Sequence, residues 1–466
     1  MNRPSPPFRG AAHNARSLAL QILLDCRKHD AFVQEILDRQ FAATAGSRRP
    51  LAEADRRLVT QLVYGVLRRR GTLRALLEPL VNRPAHKVES WLWDALALGA
   101  CQLALLTHIP AHAAVHETVE LAVDFGRPGA RGFLNGVLRQ VAALVTDERM
   151  TTAAANALPL EHGAYRRLAR PVLPDPATHP LEYVAAAFGL PDWLVRRWLP
   201  RYGVEECQRL GFWFAGPAPL MLRCNPLRIE REALLTALRE AGHTAEAGEH
   251  SQALRLHDAG PIRDLPGYAK GWFSVQDESA MRVATALMPE PGESVLDLCA
   301  APGGKTTHLA ELMRNTGRIL ACDVEDRRLQ TVNTLAQRLG LTIIETHRLQ
   351  GEEAPPGLFD RVLVDVPCSN TGVLGKRPEA RWRLRPDDLR HLVTLQTRLL
   401  RLAIKRVRPG GTIVYSTCSI EPEENRQVVE AVLRESPDLR LEADEEATPG
   451  QPADGGYWAR LQRKSC

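Results

Sequence analysis

The chain has no CxxC pair, no long apolar run and no strong excess of either charge. The first absence argues against a zinc ribbon or a thioredoxin-type redox site. Its nine cysteines (Cys26, Cys101, Cys207, Cys224, Cys299, Cys322, Cys368, Cys418 and Cys466) are odd in number and scattered. The most apolar helix-like stretch, "WLWDALALGACQLALL" at 91–106, contains Asp94 and Gln102 and is too short to span a bilayer comfortably. The N-terminal "MNRPSPPFRGAAHNARS" lacks the apolar h-region of a secretory signal. These absences predict a cytoplasmic protein with reduced thiols and neither a membrane nor a metal partner, and a monomer is expected. What is present is ordinary for a soluble globular protein: 466 residues, 44% hydrophobic and 25% charged, enough for two to four domains. A net charge of +5 is compatible with a nucleic-acid partner but does not demand one.

Periodicity divides the chain. Residues 1–15 are expected to be disordered. From 16 to 145 the pattern is helical: in "DRRLVTQLVYGVLRRR", Leu58, Leu62 and Val66 form one apolar row and Val59, Val63 and Leu67 the next. Arginines cluster at Arg68, Arg69, Arg70 and Arg74, which fits either a solvated helix end or an RNA-facing patch. Residues 146–180, with "PVLPDPATHP", are expected to be a linker. From 181 to 279 a short helical piece precedes strand-like runs around one helix, a small α+β module. From 280 to 466 strands and helices alternate regularly, the signature of a doubly wound parallel sheet.

The first turn of that sheet, "SVLDLCAAPGGKTTHLAEL" at 294–312, is strand, small-residue turn and helix. Gly303 and Gly304 let a ligand approach the backbone, and the helix N-terminus beyond them suits a carboxylate or other anion. A phosphate-binding P-loop would need glycine where Cys299 stands, and the Rossmann G-x-G-x-x-G is missing. Asp323 ends the second strand about 20 residues later, placed to accept hydrogen bonds from ribose hydroxyls. A nucleoside is therefore expected at Cys299, Ala300, Ala301, Pro302, Gly303, Gly304, Lys305 and Asp323. S-adenosyl-L-methionine fits, with its carboxylate at the glycine turn; a purely structural turn is the alternative.

Two further strand ends, "LVDVPC" and "VYSTC", deliver Cys368 and Cys418 to the same rim. A lone buried cysteine is usually core filler, but two beside polar turns at a cofactor rim suggest chemistry. Methylation of a pyrimidine at C5 needs a thiol, because C5 is too weakly nucleophilic until a thiolate has added to C6.

"DLCAAPGGKT", "DVPCSNTG" and "YSTCSIEPEEN" together resemble the RNA cytosine-5 methyltransferases; the DNA cytosine-5 enzymes carry only the Pro-Cys nucleophile. The resemblance implies that Cys418 is the nucleophile. It implies that Cys368 serves breakdown of the covalent adduct and that Asp365 sits near cofactor and target base, with Lys305 closing the first motif. "DRRLVTQLVYGVLRRR" and "RGFLNGVLRQ" look like landmarks of a NusB-like helical domain. A NusB-like domain, an α+β module and a Rossmann-like class I methyltransferase domain form the arrangement of the bacterial 16S ribosomal RNA cytosine-5 methyltransferase B family (RsmB, or Sun). The chain resembles it over nearly its whole length. The implied cofactor is S-adenosyl-L-methionine and the implied partner 16S ribosomal RNA. The same chemistry on 23S ribosomal or transfer RNA, or a non-catalytic RNA-binding protein, are the alternatives. One departure stands out: the family's adenine-contacting aspartate after the third strand is missing, with Thr346 or His347 near its place.

Overall fold

Helix Glu53–Arg68 shows why the first part of the chain is helical. Val59, Leu62, Val63, Val66 and Leu67 are buried at the i, i+3, i+4, i+7, i+8 spacing of one helix face, while Leu58 stays half-exposed. Glu53 and Asp55 in its first turn and Arg68 in its last complement the helix dipole. The computed structural model describes residues 14–28, 32–45, 51–161, 163–217, 219–257, 260–350 and 355–465. The expected disorder at 1–15 falls almost wholly outside them. The chain forms two compact units, 1–218 with 374–383, and 219–373 with 384–466.

In the first unit, helices Ala15–Lys28, Glu53–Arg68, Arg70–Leu77, Ser90–Leu105, Ala111–Asp124 and Arg131–Leu144 share one apolar core around Leu18, Leu62, Trp91, Leu96 and Leu138. The expected linker at 146–180 is corrected. Strands β1 (Val145–Met150), β2 (Ala157–Pro159) and β3 (Tyr165–Leu168) pair antiparallel in the order β1-β3-β2. Leu158 and Leu168 join the helical core, so the strands are folded onto it, and the proline signal marks only the connection after them. Helices Pro180–Phe188 and Asp192–Ala215 come next.

The arginine cluster is neither simply solvated nor wholly free for RNA. Arg69 is buried and caps the carbonyls of Pro159 (3.0 Å) and Leu160, and Arg68 donates to the Gly375 carbonyl at 2.8 Å. Segment 374–383, expected to belong with the methyltransferase-like residues, packs in this first unit. Its anchor is Arg381, fully buried and donating to the carbonyls of Arg68 (2.7 Å), Phe188 (3.3 Å), Leu374 (3.3 Å) and Phe214. Burial pulls this guanidinium down to about 9.

The second unit begins with β4 (Leu220–Cys224), β5 (Ala245–Ala247), β6 (Ala253–Leu256) and β7 (Phe273–Val275), an antiparallel sheet in the order β5-β6-β4-β7 covered by helix Arg231–Glu240. This sheet is tied to the rest of its unit across the expected boundary at 279/280. Arg223 of β4 is fully buried in a bidentate ion pair with Glu311 (2.8 and 2.9 Å).

The main sheet contains β8 (Ser294–Asp297), β9 (Arg318–Asp323), β10 (Ile344–Arg348), β11 (Phe359–Asp365), β12 (Val407–Thr417), β13 (Leu439–Ala447) and β14 (Gly456–Arg463). Their order is β10-β9-β8-β11-β12-β14-β13. The doubly wound arrangement expected from sequence is present, with an antiparallel edge added to its parallel strands. β10 to β12 run parallel, but β14 pairs antiparallel with both β12 and β13, so the sheet is mixed. Val295, Leu296, Val362, Leu363, Ile413 and Val414 are fully buried, as strands covered on both faces require. Among the described residues no helix is long and apolar enough to cross a membrane, and no cluster of three metal-ligating side chains occurs.

Candidate active site

Parallel neighbours bring the carboxyl ends of β9, β8, β11 and β12 to one rim, and every residue expected at the site lies on or just after those ends. After β8, Cys299, Ala300, Ala301 and Pro302 form the turn that leads into helix Gly304–Leu312. Gly303 caps that helix at φ +105°, where a side chain would also press on the Val332 backbone at 3.1 Å. At Gly304 an added Cβ would meet only Gln276, at 3.9 Å, so this face of the turn is open. Arg223 steadies it by donating to the Gly304 carbonyl (2.7 Å), to Thr307 (3.1 Å) and to Gln276.

Asp323 closes β9 and is 4% exposed. Val324 N–H (2.8 Å), Glu325 N–H (3.3 Å) and Arg328 (3.1 Å) all donate to its Oδ1. Asp297, at the end of β8, accepts from Thr306 at 2.8 Å through Oδ2, while its buried Oδ1 has no partner. Burial pushes this carboxyl up to about 7. An open glycine turn, a fixed carboxylate and an orphaned acid oxygen together fit a nucleoside cofactor with a polar tail. Thr346 and His347 lie inside β10 rather than after it, and Thr346 accepts from Asn333 at 3.1 Å. Residues 351–354, just beyond that strand, fall outside the described residues.

The two cysteines meet. Asp365 pairs with Ser416 in the β11–β12 register, so the turns beyond them emerge side by side. The Cys368 and Cys418 sulfurs are 3.1 Å apart and both are free thiols. The Cys418 thiol also donates to Asn370 Oδ1 at 3.3 Å. Asn370 holds φ +61°, a conformation asparagine tolerates better than most residues. The Cys418 bond and burial together drive the Cys368 thiol well above its ordinary range. Asp365 accepts from Lys305 Nζ at 2.6 Å and from the Ser416 hydroxyl at 2.8 Å. Burial pulls Lys305 down, but Asp365, Cys418 and Asp297 outweigh it and hold the ammonium above its usual value. Lys305 and Cys418 share a cavity of about 40 Å³ with Tyr457 and Trp458.

Behind the thiols a buried network locks the two turns together. Glu424 accepts from Ser369 N–H (2.9 Å) and Gln396 (2.9 Å) on one oxygen and from the Ser419 (2.5 Å) and Ser369 hydroxyls on the other. Thr371 bridges to Ser419 at 3.1 Å, and Gly372 N–H donates to the Cys418 carbonyl at 3.0 Å.

The comparisons with known proteins agree along most of the chain. A family model described as 16S rRNA methyltransferase RsmB/F matches residues 284–457. A NusB family model matches 13–143, and an RsmF/B-like ferredoxin-like domain matches 190–263. A probable ribosomal RNA small subunit methyltransferase B from Synechocystis sp. is 38% identical over 94% of this chain and 92% of its own length. The chain belongs to the ribosomal RNA small subunit methyltransferase B family. A second member, from Bacillus subtilis, is 34% identical over 91% of this chain and 89% of its own. The crystal structure of PH0851 is similar over 96% of this chain and 98% of that one, with 25% identity and a TM-score of 0.76. A methyltransferase homolog from Pyrococcus horikoshii is 28% identical over 60% of this chain and 97% of its own, with a TM-score of 0.52.

Membership of the methyltransferase B family confirms the fold expected from sequence, a NusB-like domain, a small α+β module and a methyltransferase domain, and identifies the α+β module as a ferredoxin-like domain. It also marks what residue-by-residue reasoning missed. Asp297 and Glu424 stand inside the motif stretches "SVLDLCAAPGGKTTHLAEL" and "YSTCSIEPEEN", yet their burial and partners were invisible there. Arg223 carried no signal at all, since its role depends on a contact with Glu311 in a distant part of the sequence.

Proposed function

We propose that the protein transfers a methyl group from S-adenosyl-L-methionine to carbon 5 of a cytosine in 16S ribosomal RNA, through a covalent bond between Cys418 and C6. The supporting observation is the 3.1 Å pairing of Cys368 with Cys418 at the rim of the cofactor-type turn, with the Lys305–Asp365 pair alongside. The substrate is drawn from family membership, because the relatives are named as small subunit ribosomal RNA methyltransferases. S-adenosyl-L-methionine would supply an electrophilic methyl group. The 299–304 turn and Asp297 would receive its amino-acid end, and Asp323 Oδ2 its ribose.

In this scheme the Cys418 thiolate forms a bond to C6, and the electron pair of the C5–C6 double bond moves into the ring as its N3 side gains a proton. C5 is then enamine-like and would take the methyl group as the methyl–sulfur bond of the cofactor breaks, leaving S-adenosylhomocysteine, and N3 gives back its proton. Loss of the C5 proton restores the double bond and expels Cys418 as the thiolate. Lys305 and Asp365 hold charge beside the reacting thiol and ring. Cys368, protonated and in contact with Cys418, serves the release steps.

The test uses labelled S-adenosyl-L-methionine and small-subunit ribosomal RNA. Cys418→Ala should give neither methyl transfer nor covalent RNA. Cys368→Ala should methylate and then stall as a protein–RNA adduct on a denaturing gel. An adduct trapped by Cys418→Ala and not by Cys368→Ala would reverse the roles; no adduct from either would remove the covalent scheme.

A further inference from the structure

A cavity of about 470 Å³ lies within the first unit and plays no part in the methyl-transfer scheme. That volume is typical of a small-ligand site. Its wall carries Arg27, Arg70 and Arg74, the indoles of Trp93 and Trp382, and Asp94. The Arg74 guanidinium lies over the Trp93 ring, 3.4 Å from its centroid, and that of Arg70 over Trp382 at 5.9 Å. Arg74 pairs with Glu78 at 3.1 Å and Arg27 with Asp94 Oδ1 at 2.6 Å. Arg70 forms no ion pair among the described residues. Asp94 is 5% exposed, and its Oδ2 is buried without a hydrogen-bond partner.

Each feature asks for a different part of a ligand. Three guanidiniums against the carboxylates of Asp94 and Glu78 leave an excess positive charge, centred on Arg70, that favours an anion. Flat indole and guanidinium surfaces favour the face of an aromatic ring. A buried acceptor with nothing donating to it needs an N–H or O–H. A nucleotide has all three: a phosphate, a planar base and base-edge N–H groups. Arg27 and Arg74 keep 30% and 36% of their side-chain surface exposed, so the site opens to solvent as a polynucleotide strand would require.

We propose that this cavity captures one unpaired nucleotide of the RNA substrate. Its phosphate lies on Arg70 with Arg27 and Arg74 nearby, its base against Trp382, and a base N–H is given to Asp94 Oδ2. The proposal rests on the reading of the protein as an RNA methyltransferase.

The test uses the full chain and a small-subunit ribosomal RNA fragment that the wild-type protein methylates. Arg70→Gln should weaken RNA binding about five- to tenfold and reduce the slope of log K against log salt by about one. Trp382→Ala should cost about five- to a hundredfold, with Trp382→Phe recovering most of it. S-adenosyl-L-methionine affinity should not change in any of these. Ultraviolet cross-linking of the wild-type complex, read by mass spectrometry, should place a nucleotide on the peptide holding Trp93 or Trp382. It decides the matter even if Trp382→Ala fails to fold. A wild-type protein that methylates RNA while both variants keep its affinity and salt slope, with no cross-link in these peptides, overturns the pocket and leaves the RNA reading intact. Free nucleoside monophosphates binding here while RNA affinity ignores the variants would make it a small-molecule site and overturn the proposal. A wild-type protein that neither binds nor methylates ribosomal RNA would remove the function itself.

Discussion

Glu424 is the residue whose removal should do most damage to the paired cysteines without touching either. Its carboxylate is fully buried and gathers four donors: the Ser369 amide, the Ser369 and Ser419 hydroxyls, and Gln396. Gln396 also donates to the Pro367 carbonyl at 2.9 Å, and the hydroxyl oxygens of Ser369, Thr371 and Ser419 lie within 3.0–3.2 Å of one another, so the protons freed from Glu424 have new acceptors at hand. On removal to alanine, these groups keep alternatives, but the Ser369 amide loses its acceptor. One orphaned buried amide costs about 1–3 kcal/mol, and the emptied space about 2 more. Relief of the desolvation that pushes the Glu424 carboxyl up offsets part of this. Glu424→Ala should therefore lose about 3 kcal/mol in urea unfolding. Glu424→Gln keeps one oxygen and can donate to hydroxyls that rotate to accept, so it should lose about 1 kcal/mol. The turns carrying the thiols should loosen, and a displacement of about 1 Å is enough to slow transfer roughly a hundredfold. Single-turnover methyl transfer measures this, with calorimetric S-adenosyl-L-methionine affinity as the control. If Glu424→Ala folds within about 0.5 kcal/mol of wild type and transfers at the wild-type rate, the clamp is not what aligns the cysteines.

Three further outcomes are expected of the same unit. Asp323→Ala should weaken S-adenosyl-L-methionine binding by about 1–3 kcal/mol, since ribose hydroxyls would lose their acceptor; unchanged calorimetry would displace the ribose from Asp323. The raised Asp297 carboxyl favours the folded state below about 3.8, and that contribution is lost as pH rises through about 7. Asp297→Asn lacks this titration, so its stability relative to wild type should climb by about 1.4 kcal/mol per pH unit across that window and then level off; parallel pH profiles would refute it. Arg223→Ala should lose about 3–5 kcal/mol by leaving Glu311 buried and unpaired, and Arg223→Met with Glu311→Gln should recover much of that; equal losses in the single and double variants would deny the coupling.

What could be read from sequence was whatever repeats at short range. The helical face at Val59, Leu62, Val63 and Val66, the alternation after 280, and the glycine turn with its carboxylate on the next strand are local patterns. Each reappears in the structure. Strands β1–β3 were hidden because two of them are only three or four residues long and lie among prolines and arginines. The antiparallel β14 was hidden because strand direction depends on which neighbour a segment finds. Arg69 read as part of a solvated or RNA-facing cluster and Arg381 carried no signal, yet both saturate carbonyls at the ends of other elements. No periodicity reports that kind of contact.

The cysteines' settings look alike in sequence because both come after parallel strands, and the same parallel pairing is what makes them unlike. Once Asp365 and Ser416 sit opposite each other, the turns beyond them must share one space, and the sulfurs meet at 3.1 Å. At that distance the negative charge of one thiolate opposes ionisation of the other. The surroundings of the two sulfurs differ. Cys368 has its bond to Cys418, burial and then the Glu424 charge against ionisation. Cys418 faces Asn370 and the cavity shared with Lys305. Under the proposed chemistry this sets an order of events. While Cys418 is free, Cys368 is held as a thiol. When Cys418 is tied into a bond with C6, its charge and its hydrogen bond to Cys368 disappear together. Burial and Glu424 are then all that still hold Cys368 up, and the second thiol becomes easier to ionise only after the first has reacted.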